Sequence, residues 1–473
     1  MMCTKIAALA MALVLTGPSP TTQKPSSPTT SNNSREVSAQ GAVTFLSDSD
    51  PAYAYLEAVQ EAAYANDPKA FRWTNLPSQR KQLEDLMKQL GSSDLEDAIL
   101  NRLNRPIPTR FEEPNSLVML DDASQLVEET IGSSMPSAKR PRRGTLPAST
   151  LNARTILVPR TDLQLVVVNA QIFGFLYEYM KAGLQTVSVN ISGNTLDMSY
   201  GKQAFENGPR HDVQLMVRMS KILEDEVNHR RVRSEGIASE WERPLLMPLV
   251  TAMEFFVVAH EYGHIVLGHT SEDRSEQVIN ASGSQSVRTL LRTWGQEAAA
   301  DQFACSMLDR FLMSKAAASE ADHAGLDFRE LMRLAPLLFF TFDRAADDAQ
   351  FVFDNKRLPT KLADQERQQV IDYLKQALEQ ESGAKRDAKV SRGLAESKFD
   401  TSVEQVVKGA YPPAWARMAL VQEYQRSHPF QSGDSTDRAF RDLGISVREN
   451  VEVMEADLMP KWIEIIQSAG SQR

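Results

Sequence analysis

The sequence predicts an α+β fold, predominantly helical, and three observations carry that prediction. Five long segments, residues 213–230, 245–269, 286–315, 328–347 and 362–382, place apolar side chains at helical spacing. Only two short stretches, residues 163–169 and 186–191, have the β-branched character of strands. The composition is that of an ordinary globular protein, 42% hydrophobic and 24% charged over 473 residues, which excludes a fibrous or wholly disordered chain.

Taken in order, the chain opens with an address-like segment. Residues 1–17 hold one charge, Lys5, and the apolar run 6–15. That is the size of a signal peptide and shorter than the roughly 20 residues that cross a bilayer. Cys3 precedes the run, whereas a lipid-modified cysteine follows it. The expectation is export, periplasmic or secreted; a later start such as Met11 gives the alternative, a cytoplasmic protein. Residues 18–34 contain thirteen Pro, Ser or Thr among seventeen, so 18–45 reads as a disordered linker with nothing to bury. Residues 46–150 read as a helical N-terminal region, a cap or propeptide, ending in a Pro-rich stretch with the basic cluster Lys139-Arg140-Pro141-Arg142-Arg143. In an acidic chain that cluster is expected to be a solvated loop. The main unit is placed at 151–430: a strand at 163–169, a helix at 172–181, a strand ending in the turn Ser192-Gly193-Asn194, then helices. Residues 431–473 are a C-terminal helical extension. No run is expected to span a membrane.

Charge and cysteine content narrow the function classes. Fifty-two basic against sixty-two acidic residues give a net charge of -10, so no nucleic-acid partner is expected. Two cysteines, Cys3 and Cys305, exclude a disulfide framework and a cysteine-based zinc finger. Histidine is scarce. Of seven in the chain, three, His260, His264 and His269, fall within ten residues.

The string His260-Glu261-Tyr262-Gly263-His264 lies inside an apolar helical segment. Residues four apart on a helix share a face, so both imidazoles can reach one metal ion, and Glu261 lies to its side where it can handle a proton of an activated water. Zinc needs a third protein ligand. Glu297 and Asp301, again four apart on a predicted helix, offer a carboxylate to complete a His2Glu site and a second one to accept the remaining ring N–H of a ligating His. His269 is expected to cap the end of the first helix, and Gly263 to mark a close approach, with the Glu297 helix as the candidate neighbour. Cys305 and the residues Leu337 to Phe342 are expected to be core.

Val258 to His269, together with Glu297-Ala298-Ala299-Ala300-Asp301, resembles the gluzincin metallopeptidases, especially the compact minigluzincins related to HtpX and the CAAX-processing proteases. The resemblance covers roughly residues 250–310. It implies a zincin-like catalytic domain with a small sheet and a metal-binding helix pair. It further implies one Zn2+ per chain held by His260, His264 and Glu297, Glu261 as general base, Asp301 behind the first His, and a protein or peptide substrate. Relatives carry a His-Pro-Pro stretch followed by Arg; the matching string here, Tyr411-Pro412-Pro413-Ala414-Trp415-Ala416-Arg417, has Tyr in place of His and nominates Tyr411 and Arg417 as catalytic groups at the oxyanion, with His428 a further candidate. The expected activity is zinc-dependent endopeptidase, with a catalytically silent zinc-binding module on a peptidase scaffold as the alternative. A substrate strand is expected to pair with residues 163–169 or 186–191.

Overall fold

A computed structural model describes residues 45–66, 107–132, 140–146, 153–192, 195–199, 202–230, 232, 238, 242–270, 276–281, 285–290, 294–314, 322–323, 326–358, 361–382, 412–429 and 435–470. The signal-like segment, the Pro/Ser/Thr-rich linker and Tyr411 lie outside them. The described residues are mostly helical with a small three-stranded sheet, as the sequence predicts.

The sheet comes from β1 (Arg142–Leu146), β2 (Ala153–Leu157) and β3 (Gln164–Asn169). Its order is β1-β3-β2, with β1 parallel and β2 antiparallel to β3. The central strand reads as the uninterrupted run Leu165-Val166-Val167-Val168 because both its faces are covered. Leu165 and Val167 pack with Ile156 and Val158 against Ala52, Leu56 and Val59 of helix α1 (Pro51–Asn66). Val166 and Val168 face the main helical core. The sequence offers residues 163–169 as an open sheet edge; the structure corrects this, since β3 has a partner on each side and the outer strands are β1 and β2.

Strand β1 belongs to the N-terminal side of the boundary drawn at 150, so the two regions share one sheet. They also share a core. Helix α2 (Pro114–Ile131) contributes Met119, Leu120, Ala123 and Val127 to it. Behind β1, buried Glu112 accepts hydrogen bonds from Thr145 N and Thr145 Oγ1, both 2.8 Å, and from Gln60 Nε2 of α1 at 3.1 Å. Of the basic cluster, Lys139 lies outside the described residues and Arg140 is exposed, but Arg142 and Arg143 belong to a strand and not to a solvated loop: Arg142 pairs with Asp50 at 2.8 Å, and Arg143 with Asp121 and Glu128.

Next come α3 (Ile172–Leu184), the hairpin β4 (Ser188–Ser192) and β5 (Thr195–Ser199), α4 (Lys202–Asn207) and α5 (Val213–Val227). Helix α5 begins at Asp212, whose carboxylate accepts from Gln214 N at 2.8 Å and Leu215 N at 3.2 Å, an N-cap that satisfies two otherwise unpaired donors. Helix α6 (Arg243–Val266) runs through the centre, with residues 245–250 and 252–265 all buried. By length and composition it could cross a membrane, contrary to the expectation that no run does, but its apolar window is 94% buried inside the protein. It is the core helix.

Strands β6 (Glu276–Ala281) and β7 (Gln285–Leu290) pair antiparallel, and helix α7 (Trp294–Leu312) starts only after them. The helix predicted from 286 is thereby corrected. The pair β8 (Asp322–His323) and β9 (Leu326–Asp327) leads to α8 (Arg329–Met332) and α9 (Ala335–Asn355), where the sequence predicts one helix; Pro336 in the first turn of α9, lacking an N–H, marks a new start. Helices α10 (Asp364–Ser382), α11 (Ala414–Ser427) and α12 (Ser435–Gly470) complete the fold. Helix α12 delivers Leu443, Val447, Val451 and Met454 to the main core.

Helices α6 and α7 meet at Gly263. A Cβ there would lie 3.0 Å from Phe303 Cδ1 and 3.3 Å from Ala300 Cα, so the absent side chain sets the helix spacing, as the sequence predicts. A valine at this position drives its methyls into α7 backbone. Gly263→Val is expected to lower the unfolding free energy by about 1–3 kcal/mol, read from a urea transition; an unchanged midpoint would show that the helices part without cost.

Candidate metal centre

Four turns of two helices build the site. Helix α6 presents His260 and His264 on one face, and α7 presents Glu297 and Asp301 toward them. All four are buried, with relative exposures of 7%, 0%, 2% and 1%. The two Nε2 atoms lie 3.1 Å apart. The Glu297 carboxylate faces both, with Oε2 3.3 Å from His260 Nε2 and Oε1 3.6 Å from His264 Nε2.

His260, Glu261 and His264 form a buried group able to hold a metal ion, their ligand atoms all within 4.8 Å of one another. Two carboxylates therefore compete for the third position, and the distances choose between them. Glu297 spans both imidazoles, whereas Glu261 Oε1 is 3.9 Å from His260 Nε2 and its Oε2 accepts a hydrogen bond from Thr155 Oγ1 at 2.8 Å. The Glu297 carboxylate thus lies closer to the two Nε2 atoms, and Glu261 stands to their side. Thr155, on the outer strand β2, also lies 3.0 Å from the Glu261 carbonyl oxygen. It holds the carboxylate from the helix-facing side of the sheet.

Behind His260, Nδ1 lies 2.9 Å from Asp301 Oδ1. Arg417, from α11, grips the same carboxylate, Nη2 to Oδ1 at 2.6 Å and Nε to Oδ2 at 2.8 Å, with its guanidinium 4.7 Å from the Phe340 ring centroid. The sequence nominates Arg417 for the oxyanion; the structure places it on Asp301 because that buried carboxylate needs a counter-ion and two donors. His428 is exposed, with Nδ1 3.0 Å from the Tyr424 carbonyl oxygen and its ring stacked on Tyr424. Cys305 is buried, and burial pushes its thiol well above the ordinary range.

The charges are matched by these contacts. Burial alone would lower the His260 pKa, but hydrogen bonds to Asp301 and Glu297 and the Asp301 charge outweigh it, leaving the value raised to about 9. For Asp301, burial pushes upward and the Arg417 charge and hydrogen bonds push further downward, so the carboxyl sits below its usual value. In the absence of metal, His260 is therefore an imidazolium at pH 7, and a cation at Nε2 must displace a proton. Metal binding at pH 7 is expected to release about one proton, with apparent affinity rising up to a pH near 9. Calorimetry in two buffers of different ionisation enthalpy measures the release; none would mean His260 is already neutral.

His269 is the residue whose role the sequence misses. Helix α6 ends in a Schellman turn: Gly268 takes φ +73°, Gly268 N bonds to Ile265 O at 3.2 Å and His269 N to His264 O at 2.8 Å. The backbone, not the His269 ring, caps the helix. The turn carries the buried ring back onto the metal helix, where Nδ1 lies 2.9 Å from His264 Nδ1. Gly268 beside His269 is the signal that could have shown it; for Thr155 the sequence holds none. Compared with protein-family models, with curated proteins and with solved structures, the chain has no match.

Proposed function

We propose that this protein is a zinc-dependent endopeptidase of the zincin type, acting on a protein or peptide substrate. One observation carries the reading: two imidazole Nε2 atoms and the Glu297 carboxylate converge with separations of 3.1, 3.3 and 3.6 Å, and a further carboxylate flanks them. Ligands about 2.0–2.1 Å from a tetrahedral zinc are about 3.3 Å from one another, so the donor set suits that ion in size, and two neutral nitrogens with one carboxylate suit it in chemistry. When bound, zinc supplies Lewis acidity toward a carbonyl oxygen and acidifies water at its open position.

The chain's own residues do the rest. Glu261 accepts the proton of the attacking water and returns it to the leaving amine. Thr155 holds that carboxylate in place through Oε2. Asp301 fixes the His260 tautomer with Nδ1 protonated and Nε2 directed at the ligand cluster, and Arg417 keeps Asp301 ionised. An extended substrate is assigned to β2, the outer strand that carries Thr155, because added backbone pairs with an outer strand and not with the enclosed β3.

Purified protein is expected to contain about one zinc per chain by elemental analysis. It is expected to digest unfolded casein, to lose that activity with a chelator and to recover it with added zinc. A folded protein that takes up no metal would sink the proposal.

A further inference from the structure

We infer that His269 and Glu381 form a second orienting arm of the metal centre, acting on His264 as Asp301 acts on His260; the inference rests on the metal-binding part of the reading above. His264 Nε2 faces His260 Nε2 and Glu297, so its proton must sit on Nδ1 if Nε2 is to offer a lone pair. His264 Nδ1 lies 2.9 Å from His269 Nδ1. One of two ring nitrogens in such contact donates to the other, and with His264 Nε2 kept as a lone pair His264 Nδ1 is the donor. His269 Nδ1 is then an acceptor, its own proton is on Nε2, and that atom lies 3.4 Å from Glu381 Oε1. The order carboxylate, His269, His264, ligand cluster is fixed by hydrogen-bond polarity alone.

Placement supports the assignment. His269 is 1% exposed, and the ring is delivered by the left-handed turn at Gly268, not by a rotamer free to choose. Glu381 sits in the last turn of α10, where the helix dipole disfavours an acid and no basic residue is present. The two arms come from different helices, Asp301 from α7 and Glu381 from α10, so each imidazole of the pair has its own. His269 and Glu381 are positioning residues that touch no substrate.

The first test uses the unaltered, metal-free chain. Long-range 1H–15N spectra of protein labelled at histidine are expected to show His264 protonated at Nδ1 and His269 at Nε2. His264 carrying its only proton on Nε2 would overturn the inference. The second test is zinc affinity, read by competition with a chromophoric chelator. His269→Phe keeps a flat ring and removes the acceptor, and is expected to weaken zinc binding about 10–100-fold; His269→Gln restores an acceptor and is expected to recover most of that loss. Equal affinity in the Phe and Gln variants overturns the arm. Should His269→Phe not fold, Glu381→Leu serves: a zinc affinity lowered several-fold supports the inference, and an unchanged affinity overturns it. A protein that binds zinc and cleaves nothing removes the peptidase reading and leaves the arm intact, whereas unchanged affinity in His269→Phe does the reverse.

Discussion

Glu261→Gln is expected to lower kcat for peptide cleavage by about 10²–10⁴-fold while zinc content stays near one per chain. The substitution is close to isosteric, and the amide oxygen can still accept from Thr155 Oγ1, which lies 2.8 Å from Glu261 Oε2. What it removes is the ability to take a proton. Metal retention is expected because the converging atoms belong to His260, His264 and Glu297, and Glu261 Oε1 stands further off at 3.9 Å from His260 Nε2. Steady-state kinetics with elemental analysis on the same sample separates the two roles. Zinc lost together with activity would make Glu261 a ligand; activity retained would remove it as the base.

Asp301→Asn is expected to have the largest effect on stability. Asp301 is 1% exposed and both its oxygens are engaged by Arg417, whose guanidinium also lies against Phe340. Neutralising the acid removes the one carboxylate hydrogen-bonded to the buried guanidinium and leaves it only the charges of Glu297 and Asp343, and breaking such a pair from one side costs about 3–5 kcal/mol. Zinc affinity is expected to fall about 10–100-fold as well, because the His260 orientation and basicity depend on the same carboxylate. The double substitution Asp301→Asn with Arg417→Met is expected to recover much of the stability and none of the zinc affinity. The pH dependence follows from the lowered carboxyl. The pair's contribution is complete above the unfolded value of about 4 and is lost only as pH falls through the lower folded value. Urea transitions at pH 7 check the first statement; a loss below about 1 kcal/mol would place this pair among weak surface bridges.

His260, Glu261 and His264 were legible in the sequence because a helix turns a spacing of four into a shared face, and the same rule reached Glu297 and Asp301. Gly263 was legible for a related reason: a glycine inside a helix implies something lying against it. Pairing between distant segments was not. Thr155 is 106 residues from Glu261, and no local pattern joins a threonine in a short strand to a carboxylate on a helix. Residues 163–169 announced a strand, yet their place in the middle of the sheet depends on β1, which comes from a basic Pro-flanked stretch with no strand-like apolar pattern. Arg417 was found for the wrong duty, since a sequence can nominate a cation without showing which acid it meets.

The parallel pairing of β1 with β3 bears on maturation. A protease that cuts between Leu146 and Ala153 leaves a nicked protein and not a released prosegment. The upstream piece stays clasped by a five-residue ladder and by α2 against α6, where Tyr262, the neighbour of the proposed base, donates to Glu128 at 2.6 Å. Stripping that piece away would uncover the edge of β3 and one flank of the metal helix together. The described residues upstream of 150 are thus a structural wall beside the candidate metal centre.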